Sequence, residues 1–279
     1  MVFLKKRDAI IKIKKSNNSN LRLIQKDSDE FGSKKFYVMT QNELYEQIKK
    51  CQKHDKIPCY YESWLEDSKI LFSLDIDASA DLDNEEFDKV IKRNISKVIK
   101  FAKKFYEYEY LPENIIVLKT EKQPNKQSAH VVFRGLLFDS HLICKNFFFR
   151  MVKENKLEFC DSSIYGKTCL RTCFSSKKGK NFPLLPHQIK IGGEFTLSID
   201  DYESELDYFV QSMITTIDTL ELKNKVITKD MIVEESDLFN PSEQKIEIKD
   251  NAELEEILNS LPEEYCNDYI KWNRVGMAL

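Results

Sequence analysis

Residues 71 to 86 read LFSLDIDASADLDNEE, an apolar run followed by six carboxylates in twelve positions. Two arrangements compete for this charge. A calcium loop beginning at Asp75 would use Asp75, Asp77, Ser79, Asp81 and Glu86 at the usual intervals. Its sixth position, however, is Ala80 where a sharp turn normally takes glycine, its entering segment KILFSLDI is a buried-strand run, and no second copy exists to pair with it. On a strand, by contrast, Asp75 and Asp77 project from one face about 6 to 7 Å apart while Leu74 and Ile76 face a core. Two carboxylates so placed can share or bridge divalent ions. The remaining acids then form a turn and the start of a helix.

Outward from this stretch, the chain alternates short strands with helices. LRLIQ, KKFYVMT, IPCYYES and KILFSLDID read as strands because branched and aromatic residues dominate them, and QNELYEQIKKCQ reads as a short helix. The segment 84 to 110 is a longer helix: Phe87, Ile91, Ile95 or Val98, Ala102 and Phe105 fall on one face, with acids at its start and lysines later. NIIVLKT and SAHVVFRG follow as strands, SHLICKNFFFRMVKENK as a helix, residues 159 to 174 as strand, turn, strand, and SSKKGKNFPLLP as a loop. Helices and hairpins without a regular βαβα alternation predict an α+β fold with largely antiparallel sheets flanked by helices. Residues 1 to 220 form the expected catalytic domain, 221 to 250 an acidic linker or extension, and 251 to 279 the start of a helical domain.

Composition narrows the function classes. With 279 residues, 42% of them apolar, the chain can bury a large core, and it has no apolar run long enough to span a membrane. Its start, MVFLKKRDAIIKIKK, places charges where a signal peptide needs apolar residues, so an intracellular setting is expected. Seven scattered cysteines without a CxxC pair fit free thiols in a reducing compartment. Cys169, Cys173 and His187 are the zinc candidates, with a spacing that matches no recognised zinc site. The net charge of -3 hides an uneven distribution. Residues 119 to 190 carry 14 Lys/Arg against 5 Asp/Glu, and residues 191 to 279 carry 7 against 21. A basic middle of this kind suits phosphate binding.

Later segments supply partners for the two aspartates. In QSAHVVF, Ser128 and His130 lie two apart on one strand face; in CDSSIYGKTCLRTCFSSKKGK come a third carboxylate, Asp161, then Arg171, Lys177, Lys178 and Lys180. Carboxylates for metal, with Arg, Lys and His for phosphate oxygens, form an inventory for nucleotidyl transfer.

In that order, LFSLDID, KQSAHVVF, DSSIYGKTCLR and SSKKGK resemble the three motifs of the archaeo-eukaryotic primase superfamily, above all its primase-polymerase branch and the primase regions of primase-helicases of large DNA viruses. The resemblance covers roughly residues 30 to 200. The tail LPEEYCNDYIKWNRVGMAL resembles the start of the helical domain that follows the primase in such proteins. The resemblance implies a primase-like catalytic core making primers on a single-stranded DNA template from NTPs or dNTPs, with Mg²⁺ or Mn²⁺. It implies Asp75, Asp77 and Asp161 as metal ligands, and Ser128, His130, Arg171 and Lys177 on the triphosphate. Lys35, before the early strand, would approach nucleotide or template. It further implies a helicase domain following this region and work at replication sites in a virus-infected cell. The turn between Asp161 and Arg171 is one residue shorter than in close relatives, which leaves Lys177 and Lys178 as alternatives. A nucleic-acid-binding module of the same fold without catalysis is the competing reading, and a calcium-binding protein the third.

Overall fold

The computed structural model describes residues 2 to 216 and 226 to 228, apart from 17, 19, 28 to 32, 66, 107 to 113 and 156, and without the side chains of 105, 106, 155 and 167. The chain divides into two units, Met1–Glu234 and Glu235–Leu279. The second unit, with the expected helical segment 251 to 279 and most of the expected linker, lies outside the described residues.

In chain order the elements are β1 (Val2–Phe3), α1 (Lys6–Lys14), β2 (Arg22–Asp27), β3 (Lys34–Met39), α2 (Gln41–Lys53), β4 (Tyr60–Ser63), β5 (Ile70–Ser79) and α3 (Asn84–Tyr106). They continue with β6 (Ile115–Lys119), β7 (Lys126–Phe138), α4 (His141–Asn155), α5 (Ile164–Lys167), β8 (Cys169–Arg171), β9 (Leu185–His187), β10 (Lys190–Ile191), β11 (Glu194–Phe195), α6 (Glu205–Gln211) and β12 (Val226–Ile227). The fold is α+β. One sheet runs β1-β3-β2-β4-β8, antiparallel throughout. In the other, β7 pairs along one edge with β5 and along the other with β6 and β12, and β9 follows β6. All these pairings are antiparallel except that of β12. Val226 and Ile227, placed in the linker by the sequence reading, thus lie beside Leu137 and Phe138 of β7.

The helices form where the sequence supplies both ends and one apolar face. Thr40 and Glu43 make a reciprocal capping box at the start of α2, and Leu44 and Ile48 are buried below it. Asp83 Oδ1 accepts from the Glu86 amide at 2.7 Å and so starts α3, while Phe87, Ile91, Ile95, Val98 and Ala102 are all fully buried. The Phe105 side chain lies outside the described residues. The apolar side of β5 meets α4 around Phe72, whose ring lies 4.9 Å from Phe147 and 5.5 Å from Phe133. Each such fully buried phenyl contributes about 1.5 to 3 kcal/mol of transfer free energy. Leu74, Ile76 and Ala78 continue this side, leaving Asp75 and Asp77 on the other.

Residues 159 to 174 depart from the expected strand, turn, strand. Cys160 makes a single bridge to Ile76, the chain then winds through α5, and only β8 is a strand. The cause is local: Asp161 accepts from both the amide and the hydroxyl of Ser163, at 2.8 and 2.7 Å, which folds the backbone into a turn. Neither α1, packed on the first sheet through Ala9, nor α6, which buries Tyr208 and Phe209, has a counterpart in the sequence reading. Among the described residues no helix is long and apolar enough to cross a membrane.

Glu62 of β4 is 2% exposed and accepts from the amides of Ile214 and Thr215 at 3.0 and 3.2 Å and from the Thr215 hydroxyl at 3.1 Å. Burial pushes its carboxyl from the ordinary 4.5 up to about 7, against these hydrogen bonds. A carboxyl raised on folding stabilises fully below about 4.5, and the contribution is lost as pH rises through about 7. Thermal unfolding of wild type and Glu62→Gln between pH 4.5 and 8 should therefore show a downward slope in the wild type that the variant lacks.

Candidate active site

The antiparallel register of β5 and β7 sets Asp75 directly opposite His130 and Asp77 directly opposite Ser128. Residues facing one another in this way share a face of the sheet, with Cβ atoms about 4.5 to 5.5 Å apart. The other edge of β5 is taken by the segment before α5. Asp161 donates its amide to the Asp75 carbonyl at 2.8 Å, and the Asp77 amide donates to the Phe159 carbonyl at 3.0 Å, on either side of the bridge between Ile76 and Cys160. Asp161 therefore stands across from Asp75 in the third position of the row His130, Asp75, Asp161. Phe159, opposite Asp77, has a left-handed backbone at φ 56° and is 51% exposed.

The first sheet closes the site from the other side. Arg171 of β8, 4% exposed, donates from Nη2 to Ser128 Oγ at 3.3 Å. A pocket of about 230 Å³ lies between the sheets, with Asp75, His130 and Asp161 on one side and Gln25, Tyr61 and Arg171 on the other. Lys177 also lines it and reaches within 3.9 Å of Asp77 Oδ2. Lys126 makes a closer ion pair with the same oxygen. The structure thus brings together Asp75, Asp77, Asp161, Ser128, His130, Arg171 and Lys177. Lys35 is placed otherwise. Its neighbour Lys34 lines the pocket, and alternation along β3 turns Lys35 to the opposite face.

The charges are mutually adjusted. Burial works to raise the Asp75 carboxyl, but His130 beside it, with Lys177 and Arg171 beyond, holds it below the usual carboxylate range. Burial lowers the Arg171 guanidinium, opposed by Asp75, Tyr61 and Asp77. Lys177 is lowered by burial first and by Lys126 and Arg171, with Asp77 acting in the opposite sense. His130 Nε2 lies 3.4 Å from Asp75 Oδ1, a charge contact long for a hydrogen bond.

Four buried polar atoms of this constellation have no hydrogen-bond partner: Asp75 Oδ1, Asp77 Oδ1, His130 Nδ1 and Arg171 Nε. An unpaired buried polar atom costs on the order of 1 to 3 kcal/mol, so their concentration in this pocket and at Asp77 beside it suits a polar ligand. Two adjacent carboxylates with an unpartnered oxygen each fit a hard divalent cation, and the guanidinium and imidazole beside them fit an anion. Asp161 is less ready, since both its oxygens are engaged by Ser163. Among the described residues no three His, Cys, Asp or Glu side chains gather as a metal-ligand group.

The competing sites come apart on inspection of their members. Asp75, Asp77 and Ser79 all belong to an extended, paired strand, so no loop curls from Asp75 to Glu86 around calcium; Asp81 accepts from Ser79, and Asp83 caps α3. His187 pairs with Asp88 at 3.1 Å, whereas buried Cys173 directs its thiol to the Leu184 carbonyl, which leaves the zinc candidates on separate partners.

Sequence reasoning missed Lys126, although it lies two and four residues before Ser128 and His130 and hence on their face of β7. It also missed Tyr61, whose hydroxyl donates to Asp27 at 3.0 Å inside the pocket. CYYES offers no signal that separates Tyr61 from Tyr60.

Compared with known protein families and with curated proteins, the chain matches no family model and no curated sequence.

The strand geometry makes a direct forecast for ion binding. In a titration with Mn²⁺ and Ca²⁺ followed by calorimetry, Asp77→Ala should weaken Mn²⁺ binding about tenfold or more. Asp81→Ala and Glu86→Ala, which would disable a calcium loop, should leave both isotherms unchanged.

Proposed function

We propose that this chain is a template-dependent nucleotidyltransferase that makes primers on single-stranded DNA, with the core of the archaeo-eukaryotic primase superfamily that its motifs resemble. The observation that carries the reading is the pairing of Asp75 with His130 and Asp77 with Ser128 across two adjacent strands, with Arg171 joined to Ser128 from the facing sheet. Carboxylates for cations and cations for phosphates thus meet on one surface, as in-line displacement at a phosphoryl group requires.

In this reading Asp75 and Asp77, joined by Asp161 once its carboxylate leaves Ser163, hold Mg²⁺ or Mn²⁺. When bound, these ions supply a lowered pKa at the attacking 3′-hydroxyl and neutralise charge on the departing pyrophosphate. Arg171, His130 and Ser128 bind the triphosphate oxygens and orient the α-phosphorus. Lys126 and Lys177, which pair with Asp77 in the present structure, would supply further positive charge for the phosphates. Basic residues between 119 and 190 carry the template strand by charge. A helicase domain beyond this region and a place at viral replication sites follow from the same resemblance.

The engagement of both Asp161 oxygens by Ser163 favours one other reading: a nucleic-acid-binding module of the same fold that performs no chemistry. Incubating the chain with single-stranded DNA, Mn²⁺ and labelled nucleotides separates the two. Short products establish the enzyme; DNA binding without products establishes the module.

Asp75→Ala and Asp161→Ala should each abolish incorporation while the unfolding transition remains cooperative, and normal activity in either would remove that residue from the ligand set. Arg171→Ala should act mainly on nucleotide KM, with a smaller change in kcat, in steady-state incorporation assays.

A further inference from the structure

The long helix α3 carries one polar residue inside its apolar stripe. Asn94 falls among Phe87, Val90, Ile91, Ile95 and Val98, and like them is fully buried. Asparagine is a poor helix former, and a buried amide without partners is costly. Both its amide atoms are spent on the backbone of one residue: Nδ2 donates to the Glu158 carbonyl at 2.8 Å, and Oδ1 accepts from the Glu158 amide at 2.9 Å. This is the pattern by which one peptide strand holds another, made here by a side chain. Three residues further on stands Asp161, and the intervening chain is joined to β5 by the amides of Asp161 and Asp77. The segment from Glu158 to Asp161 is therefore fastened at one end to the helix and at the other to the strand of Asp75 and Asp77. Phe159 between them takes a left-handed backbone that a bulky residue adopts only where its surroundings impose it.

We propose that Asn94 is a positioning residue that sets Asp161 across from Asp75, so that the third carboxylate reaches a divalent cation held by the first two. The proposal rests on the reading of Asp161 as a ligand. Arg93, which also reaches Glu86, and Lys97 hold Glu158 by its carboxylate and not its backbone, at 2.8 and 2.9 Å, and serve as a control for generic attachment of the segment.

The test compares wild type, Asn94→Ala, Asn94→Ser, Arg93→Ala and Asp161→Ala in the full chain. It reads Mn²⁺ affinity from the electron paramagnetic resonance of free Mn²⁺, nucleotide incorporation, and thermal unfolding. The expected result is a cooperatively folded Asn94→Ala whose Mn²⁺ affinity falls about tenfold and whose kcat falls with nucleotide KM nearly unchanged. Arg93→Ala should stay near wild type. Asn94→Ser, whose neutral hydroxyl can keep one of the two hydrogen bonds, should lie between, and it decides the matter should Asn94→Ala fail to fold. Wild-type Mn²⁺ affinity in the folded Asn94 variants overturns the proposal. So does Mn²⁺ binding indifferent to Asp161→Ala, since there is then no ligand to position. A wild type that binds Mn²⁺ and yields no product overturns the enzymatic reading alone, and the Mn²⁺ comparison still judges Asn94.

Discussion

The register between β5 and β7 is the constraint on which the rest of this site depends. Side chains along a strand alternate with a period of two, so a slip of one residue would turn Asp75 and Asp77 into the core and Leu74 and Ile76 out of it. The apolar side prevents this, because Phe72, Leu74 and Ile76 gain burial against the helices only in the observed register. The hydrophobic core thus sets the alignment of the polar pairs opposite it. Asp75 with His130 and Asp77 with Ser128 are consequences of where phenylalanine, leucine and isoleucine have to go.

Charge is arranged around that register with little to spare. The carboxylates of β5 are offset by cations from three places: Lys126 on the neighbouring strand, Arg171 on the facing sheet, and Lys177 on the loop beyond it, with the His130 imidazole beside Asp75. Because these cations come from different elements, the pocket can exchange partners without unfolding any one of them. That property suits a ligand that brings both positive metal and negative phosphate. Under the proposed function, a metal ion would take the place of these basic groups on the carboxylates, and phosphate oxygens the place of the carboxylates on the basic groups.

What could be read from the sequence follows from how local each signal is. Asp75, Asp77, Ser128 and His130 were legible because a period of two within a single strand already places them, and α3 was legible because its cap, its charges and its stripe agree. Lys34 was missed in favour of Lys35 because the parity of β3 is decided by its pairing with β2, where Lys34 stands opposite Asp27. The turn between Asp161 and Arg171 was expected, but its short helix α5 and the loss of the strand before it were missed, because Asp161 bonds the backbone of Ser163 two residues on and so overrides strand propensity. Asn94 was visible in principle, as the one amide in an otherwise apolar face; its partner, 64 residues away, was not.

One feature of β7 reaches beyond the pocket. Its first residues carry Ser128 and His130, and its last two, Leu137 and Phe138, hold Val226 and Ile227 in parallel. Their partners on β5, Asp75 and Asp77 for the first and Leu71 and Ile70 for the second, are four to seven residues apart, roughly 13 to 23 Å at about 3.3 Å per residue. Residues 226 and 227 are thus moored to the same strand as Ser128 and His130, at its opposite end. Between that mooring and the pocket lie residues 134 to 136, where β7 bulges out of its ladder with β5, so the polar pairs and the mooring sit on two separately registered stretches of one strand.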